Sequence, residues 1–141
     1  MLLELALRSL PSQGRRGSWV SRRDRALLIL HGSAGLSAAE ITDLTAGDVL
    51  VGDGTAIITT RHRTVTLTAD PDDVLCGPSA LARWLRTLEM TVVYPDQRIP
   101  TAVITRSPPL AAGSPHACET TTRSGPALHQ QTLLPAIDQW G

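Results

Sequence analysis

The residues in this chain that could do chemistry are mostly arginines, and they fall in two clusters. Six arginines lie between residues 8 and 25 against a single acid, Asp24, which leaves a local excess of five positive charges. The second cluster is the tripeptide Arg61-His62-Arg63, which has β-branched residues on both sides. Guanidinium groups form charge-assisted hydrogen bonds with phosphate oxygens, so each cluster is a candidate for contacts with a nucleic-acid backbone. For each cluster the alternative, a solvated loop or turn that binds no ligand, stays open.

Thiols and imidazoles are too few to predict a metal site. Cys76 and Cys118 lack the spacing of metal ligands, and His116 with Cys118 supplies two ligands where structural zinc takes about four. His31 follows an apolar run and is interpreted as an interior or boundary histidine rather than as a ligand. The sequence therefore predicts no metal and no cofactor.

The composition excludes a protein whose overall charge would draw it to nucleic acid or to a membrane. The chain of 141 residues has 13 basic residues, all of them Arg, against 13 acids, and its formal net charge is zero. Its hydrophobic content of 42% is enough for one modest core. No apolar run approaches the roughly 18 to 20 residues that span a bilayer, and residues 1–10 lack the basic start of an export signal. We therefore expect a cytoplasmic protein with reduced thiols and no membrane partner.

Two helices are expected to position the first arginine cluster. The apolar pattern of residues 1–10 predicts a short helix that ends at Pro11. A second helix should begin at Ser21, which stands three residues before Asp24 in the pattern of a capping box, and should end within residues 32–35. Its run of aliphatic residues is apolar on nearly all sides, so we expect this helix to be central and buried.

A third helix and a hairpin are expected to position the second cluster. Ser37 and Glu40 repeat the capping-box pattern at the start of a helix. A turn is predicted over residues 51–54, followed by β-branched strands over 55–60 and 64–68. These strands form a β-hairpin whose tip is the cationic tripeptide.

The remaining elements are predicted with decreasing regularity along the chain. Pro78 suits the first turn of a fourth helix, in which an apolar stripe follows at i, i+3, i+4 and i+7: Leu81, Trp84, Leu85 and Leu88. Short strands are expected over 91–94 and 101–105, and no regular structure over 107–125. Residues 126–140 are helix-like but interrupted by a proline.

Together these elements predict a mainly α fold with a small β-hairpin, of the α+β class. We expect a helical subdomain with the hairpin over residues 1–90. A weakly structured or divergent C-terminal segment is expected over residues 91–141.

Four stretches of sequence, in order, resemble one family of DNA-processing enzymes. Residues 23–28 resemble R-D-R-A-L-L, residues 34–41 resemble T-G-L-R-x-S-E-L, and residues 44–49 match L-x-x-x-D-[IV]. Residues 60–67 resemble a hairpin that ends in R-T-V-P-L. As an ordered set, covering roughly half of the chain, they are similar to the first half of the catalytic domain of tyrosine recombinases, the phage integrases. The resemblance implies a recombinase-like identity for residues 1–90.

The resemblance also implies that the chemistry of the family is missing. In that family a tyrosine attacks the scissile phosphate, two arginines and a histidine stabilise the phosphoryl charge, and a hairpin lysine protonates the leaving oxygen. Here Ser37 stands at the position of the first arginine, and the chain contains no lysine. Neither His116 nor His129 is followed three residues later by Arg, and the single tyrosine, Tyr94, lies outside the matching stretches. We therefore expect a truncated half-domain that is not an enzyme and has no catalytic residues.

Three functions remain open. The first is a recombinase-like protein without chemistry that keeps DNA binding or regulates an intact recombinase by contact. The second is a winged-helix DNA-binding module, although residues 45–54 are turn-rich where a recognition helix should stand. The third is a protein-interaction domain whose exposed apolar surface self-associates or binds a partner. For the first, the partner is double-stranded DNA, and the predicted contacts are Arg22, Arg23, Arg61, His62 and Arg63.

Overall fold

The architecture is a group of helices packed on a small antiparallel sheet, which confirms the predicted α+β class. The structure is a computed structural model, and it describes residues 2–10, 21–93, 117–119, 121 and 128–135. None of the helices in these ranges combines the length with the apolar character that a membrane span requires.

Four α-helices form in the described part of the chain: α1 (Leu2–Ser9), α2 (Ser21–Leu28), α3 (Ala38–Asp43) and α4 (Gly77–Val93). The first two confirm the helices predicted before Pro11 and from Ser21. α2 runs on into a π-helical turn over Ile29–Ser33, which ends inside the predicted limit, and Gly35 follows with a φ of 69°. This left-handed backbone favours glycine, and it turns the chain from α2 into α3.

Of the two predicted capping boxes, the one at α3 forms and the one at α2 does not. The Ser37 hydroxyl accepts a hydrogen bond from the Glu40 N–H at 3.1 Å, and the Glu40 carboxylate accepts one from the Ser37 N–H at 3.1 Å. Ser21 is already inside α2, and among the described residues its buried hydroxyl has no hydrogen-bond partner. The prediction that Ser21 and Asp24 cap α2 is therefore wrong, because the first residue of a capping box is non-helical.

Three strands form one antiparallel sheet in the order β1 (Val49–Gly52), β2 (Thr55–Thr59) and β3 (Thr64–Thr68). The hairpin of β2 and β3 confirms the prediction. β1 was not predicted, because the expected turn over 51–54 is confined to Asp53 and Gly54, both of which have positive φ. A strand of four residues that directly follows a 3-10 turn shows too little alternation to be recognised in the sequence.

The core lies between one face of the sheet and the apolar sides of α2 and α4. In the sheet, Val49 pairs with Ile58 and Val51 pairs with Ala56, and all four are at most 2% exposed. The apolar stripe predicted for α4 is confirmed, because its members are at most 4% exposed: Leu81, Trp84, Leu85 and Leu88. Burial of side chains of this size stabilises the fold by about 1.5–3 kcal/mol each.

Part of the C-terminal region packs onto this core without forming a helix. Leu128 and Leu133 are at most 3% exposed, and the Leu133 N–H donates to the Leu44 carbonyl at 3.0 Å. Thr132 forms a β-bridge with Thr45, so the helix-like interpretation of 126–140 is wrong over residues 128–135. The backbone there donates to and accepts from the segment after α3, and one turn within it is closed by the hydrogen bond from the Gln131 N–H to the Leu128 carbonyl at 2.9 Å.

Other predictions for the C-terminal region have mixed outcomes. α4 continues through Val93, so the strand predicted over 91–94 is wrong for its first three residues. Residues 117–119 form a 3-10 turn. The predicted strand over 101–105, and most of the segment 107–125, lie outside the described residues. The division of the chain near residue 90 stays a prediction.

Candidate nucleic-acid interface

The tip of the β2–β3 hairpin is a tight turn held by its own hydrogen bonds. The Thr60 N–H donates to the Arg63 carbonyl at 2.8 Å, which closes the turn. The Thr60 hydroxyl accepts from the N–H groups of His62 at 3.2 Å and Arg63 at 3.1 Å. Arg61 and His62 are exposed within this turn. The backbone that carries these two side chains is thus fixed before any ligand binds.

Arg63 docks the hairpin onto the start of α3. Its guanidinium donates to both carboxylate oxygens of Glu40, at 3.0 and 3.2 Å, and to the Gly35 carbonyl at 2.8 Å. The hydrogen bond from Arg63, and next the one from the Ser37 N–H, lower the pKa of Glu40 to about 2. Arg63 is therefore committed to positioning the tip, and its charge is largely balanced by Glu40.

A groove lies between the hairpin tip and α3, and its walls carry both signs of charge. Acids line it together with Arg61 and His62: Glu40, Asp43 and Asp48. Asp48 is held in place by Thr45, whose N–H donates to it at 2.9 Å. The three carboxylates disfavour a polyanion inside the groove, so the part of this region suited to phosphate is the exposed tip.

The structure places Arg22 and Arg23 on α2, where both engage other elements. Arg22 is half-buried and donates to the Thr87 hydroxyl on α4 at 3.3 Å. Burial, and next the charge of Arg83, lower the pKa of Arg22 to about 10. Arg23 donates to the Pro135 carbonyl at 2.9 Å. Of the five predicted DNA contacts, the structure thus brings the three tip residues together, while the other two bridge α2 to its neighbours.

Two buried arginines were missed in the sequence. Arg25 on α2 is 2% exposed and Arg83 on α4 is 8% exposed. Arg83 stands directly before Trp84 in the apolar stripe, and this placement is the signal that could have indicated a buried position. Because arginine side chains are mostly exposed to solvent, a position next to an apolar stripe is weak evidence that an arginine is buried.

The thiols form a buried pair. The sulfur atoms of Cys76 and Cys118 are 3.7 Å apart, and the Ser79 hydroxyl donates to Cys118 at 3.2 Å. Burial raises the pKa of the Cys118 thiol. No group of three or more metal-ligating side chains occurs in the described ranges. Nδ1 of His31 lies 3.0 Å from the Leu36 carbonyl, so this histidine links the π-helical turn to the approach to α3.

Comparisons with known proteins leave the family open. No family model, no curated protein and no solved structure matches this chain.

Proposed function

We propose that this protein contacts the DNA backbone through its β2–β3 hairpin and does not carry out strand transfer. The observation that carries the proposal is the hairpin tip, where Arg61 and His62 are exposed on a turn fixed by Thr60 and docked by Arg63. A turn backbone that is already fixed lowers the conformational entropy lost when the two exposed side chains bind phosphate, so even a small site of this kind can hold a DNA backbone.

The order of elements supports a recombinase-like module. α2, α3 and the sheet follow one another in the order of the four resembling stretches of sequence. At the position of the family's first catalytic arginine, the Ser37 hydroxyl is occupied by the capping hydrogen bond from Glu40. A neutral hydroxyl engaged in this way cannot replace a bidentate guanidinium. We therefore assign the module to binding or regulation in DNA recombination and not to chemistry.

Binding by so few cations should be weak, independent of sequence and strongly dependent on salt. Each phosphate contact that a cation makes contributes a slope of about −0.9 to the dependence of log K on log salt. The experiment is fluorescence anisotropy of the purified chain with a random duplex across about 50 to 200 mM salt. Arg61→Ala should weaken binding to all sequences alike and reduce the salt slope by about one.

The matched control is Arg86→Ala, which removes an exposed arginine from a different element, α4. It should leave both the affinity and the salt slope close to those of the unmodified chain. Loss of binding in Arg86→Ala equal to that in Arg61→Ala would point to diffuse attraction and contradict a hairpin site. An absence of binding at the lowest salt concentration would remove the proposal altogether.

A second candidate function is protein interaction, by self-association or by contact with an intact recombinase. Leu2 and Leu5 on α1 favour it, because they are 84% and 66% exposed while Leu7 on the same helix is buried. Exposed leucines on an amphipathic helix are typical of a surface that a partner covers. Sedimentation of the chain and of Leu2→Ser/Leu5→Ser decides this candidate, since a monomer in both cases excludes self-association through α1.

The winged-helix interpretation gains no support from the geometry. It requires a recognition helix after α3, and residues 45–54 instead form the 3-10 turn Ala46–Asp48, strand β1 and a tight turn.

A further inference from the structure

The contact between α2 and α4 gathers three arginines around one carboxylate. Arg25 is 2% exposed and Arg83 is 8% exposed, and both are close enough for the charge of Arg83 to lower the pKa of Arg25 after the larger effect of burial. Arg22 joins them, since Arg83 acts on it in the same way. Asp73 binds the Arg83 guanidinium at 2.7 Å. Among the described side chains, Arg25 and Arg83 together with Asp73 therefore carry an excess of one positive charge at this interface.

The nearest other acids along the chain have different partners. Asp24 on α2 lies 3.6 Å from the guanidinium of Arg23. Asp72 binds Arg8 of α1 at 2.5 Å. These described ion pairs join the two acids to other arginines, and an uncompensated charge in a protein interior is costly.

Several hydrogen-bond donors at this contact are buried and have no acceptor. Nη1 of Arg25 donates to the Val74 carbonyl at 3.1 Å, while Nε and Nη2 of the same side chain are buried without a hydrogen-bond partner. Nη1 of Arg83 is also buried without a partner, although Nη2 of the same side chain binds Asp73. Because Asp73 and Val74 are adjacent, the two guanidinium groups meet the same short segment of chain.

The geometry of Arg25 indicates what is missing. Nε and Nη2 form one edge of the guanidinium, and the two N–H groups on that edge match two oxygens of a single oxyanion. The hydroxyl of Ser21 is a further buried group without a partner, four residues before Arg25 and so on the same side of α2. Four of the six buried polar atoms that lack a hydrogen-bond partner in the described part of the chain thus belong to three side chains at this contact, and one of the other two is an acceptor, Oδ1 of Asp73.

We propose that Arg25, Arg83 and Ser21 form a binding site for a small inorganic oxyanion, phosphate or sulfate, between α2 and α4. Such an ion would accept from the open edge of Arg25, from Nη1 of Arg83 and from the Ser21 hydroxyl. It would also neutralise the excess charge that Asp73 leaves. A compact ion suits the site better than a DNA strand, because each of these atoms has less than 1 Å² of accessible surface. The ion therefore enters by a local separation of α2 from α4.

The test uses the full chain and inorganic phosphate. The thermal midpoint is measured against phosphate concentration, with sodium chloride added to keep the ionic strength constant. A ligand that binds only the folded state raises the midpoint along a saturating curve, whereas general salting-out by phosphate gives a gradual rise without saturation. Sulfate should act as phosphate does. A midpoint that responds equally to chloride and phosphate would overturn the proposal.

Matched lysine variants separate this site from general attraction to positive charge. Arg25→Lys keeps the positive charge and removes the bidentate pair of N–H donors, so it should weaken phosphate binding roughly tenfold or more. Arg86→Lys makes the same change at an exposed position of α4 and should leave the phosphate response unchanged. Identical phosphate curves for the original chain and for Arg25→Lys would show that the edge of Arg25 does not bind the ion.

A direct measurement covers the case in which Arg25→Lys fails to fold. Phosphorus NMR line widths of phosphate report binding to the unmodified chain and to Ser21→Ala, which removes one buried hydroxyl. We expect broadening with the unmodified chain and less with Ser21→Ala, and no broadening through the millimolar range would overturn the proposal. The site is independent of the hairpin, so Arg61→Ala should keep its phosphate response even if DNA binding fails.

Discussion

Arginine occurs in two settings in this protein, and the settings differ in the source of the opposing charge. At the hairpin tip, Arg63 meets both oxygens of Glu40 and Arg61 is exposed to water. Between α2 and α4, Arg25 donates one described hydrogen bond, to a carbonyl. Water screens charge at the surface and not in the interior, so the tip tolerates its arginines while the helix contact depends on acceptors. An arginine is therefore available for surface contacts at the tip, whereas an arginine between the two helices requires acceptors within the fold.

The largest effect that tests this comparison is expected from Arg83→Met. The substitution keeps the apolar stem and leaves Asp73, which is 22% exposed, without its ion pair. We expect the free energy of unfolding to fall by about 2 to 3 kcal/mol, less than for a fully buried pair. Urea unfolding at neutral pH measures it. A loss no larger than that of Arg86→Met would mean that the pair does not stabilise the contact.

In buffer without phosphate or sulfate, Arg25→Met is expected to raise the free energy of unfolding. This change removes a buried charge that has no carboxylate of its own among the described residues, and apolar replacement of such charges often stabilises. The free energy of unfolding should rise by about 1 to 2 kcal/mol. Arg61→Met at the tip should change it by less than about 0.5 kcal/mol. Destabilisation by Arg25→Met in the absence of an oxyanion would remove the distinction between the two settings.

A smaller effect is expected from Ser37→Ala, which probes the element that anchors the tip. The substitution removes the acceptor of the Glu40 N–H and should lower the free energy of unfolding by about 1 kcal/mol. Ser33→Ala, at an exposed serine just before the turn into α3, is the matched control and should have little effect. Equal losses in the two variants would mean that the capping box contributes nothing.

The smallest effect is expected in the acid dependence of Glu40. Because Arg63 lowers the pKa of Glu40 from 4.5 to about 2, the stability from this contact is complete above about pH 4.5 and is lost as the pH falls towards 2. Glu40→Gln should flatten the decline of the thermal midpoint over that range. Arg63→Met should flatten it as much, since Arg63 is the main cause of the shift. A steeper decline in either variant would contradict this assignment.

Local patterns were sufficient for much of the fold. The spacing of Leu81, Trp84, Leu85 and Leu88 predicts the buried side of α4, and the β-branched runs predict the hairpin. Both patterns repeat several times within one element, so a single sequence reveals them. β1 escaped prediction because four residues contain only two buried positions.

The candidate sites were predictable to different degrees. The tip tripeptide is contiguous, so its residues stay together in any hairpin. The site at the α2–α4 contact combines residues that are 58 positions apart, Arg25 and Arg83, and no local spacing relates them. The pairing of Arg63 with Glu40 likewise joins positions separated by 23 residues.

Local patterns in the sequence were enough to predict α1 to α4, the hairpin and the capping box at α3, because each of these depends on neighbouring residues. The tertiary structure alone decided which arginines are buried, which are paired and which remain exposed at the tip. It also decided that residues 128–135 complete the core, through hydrogen bonds to the segment after α3. The reason is physical: a hydrogen-bonding pattern within one element is set by spacing along the chain, whereas the environment of a charge is set by whatever the fold packs against it.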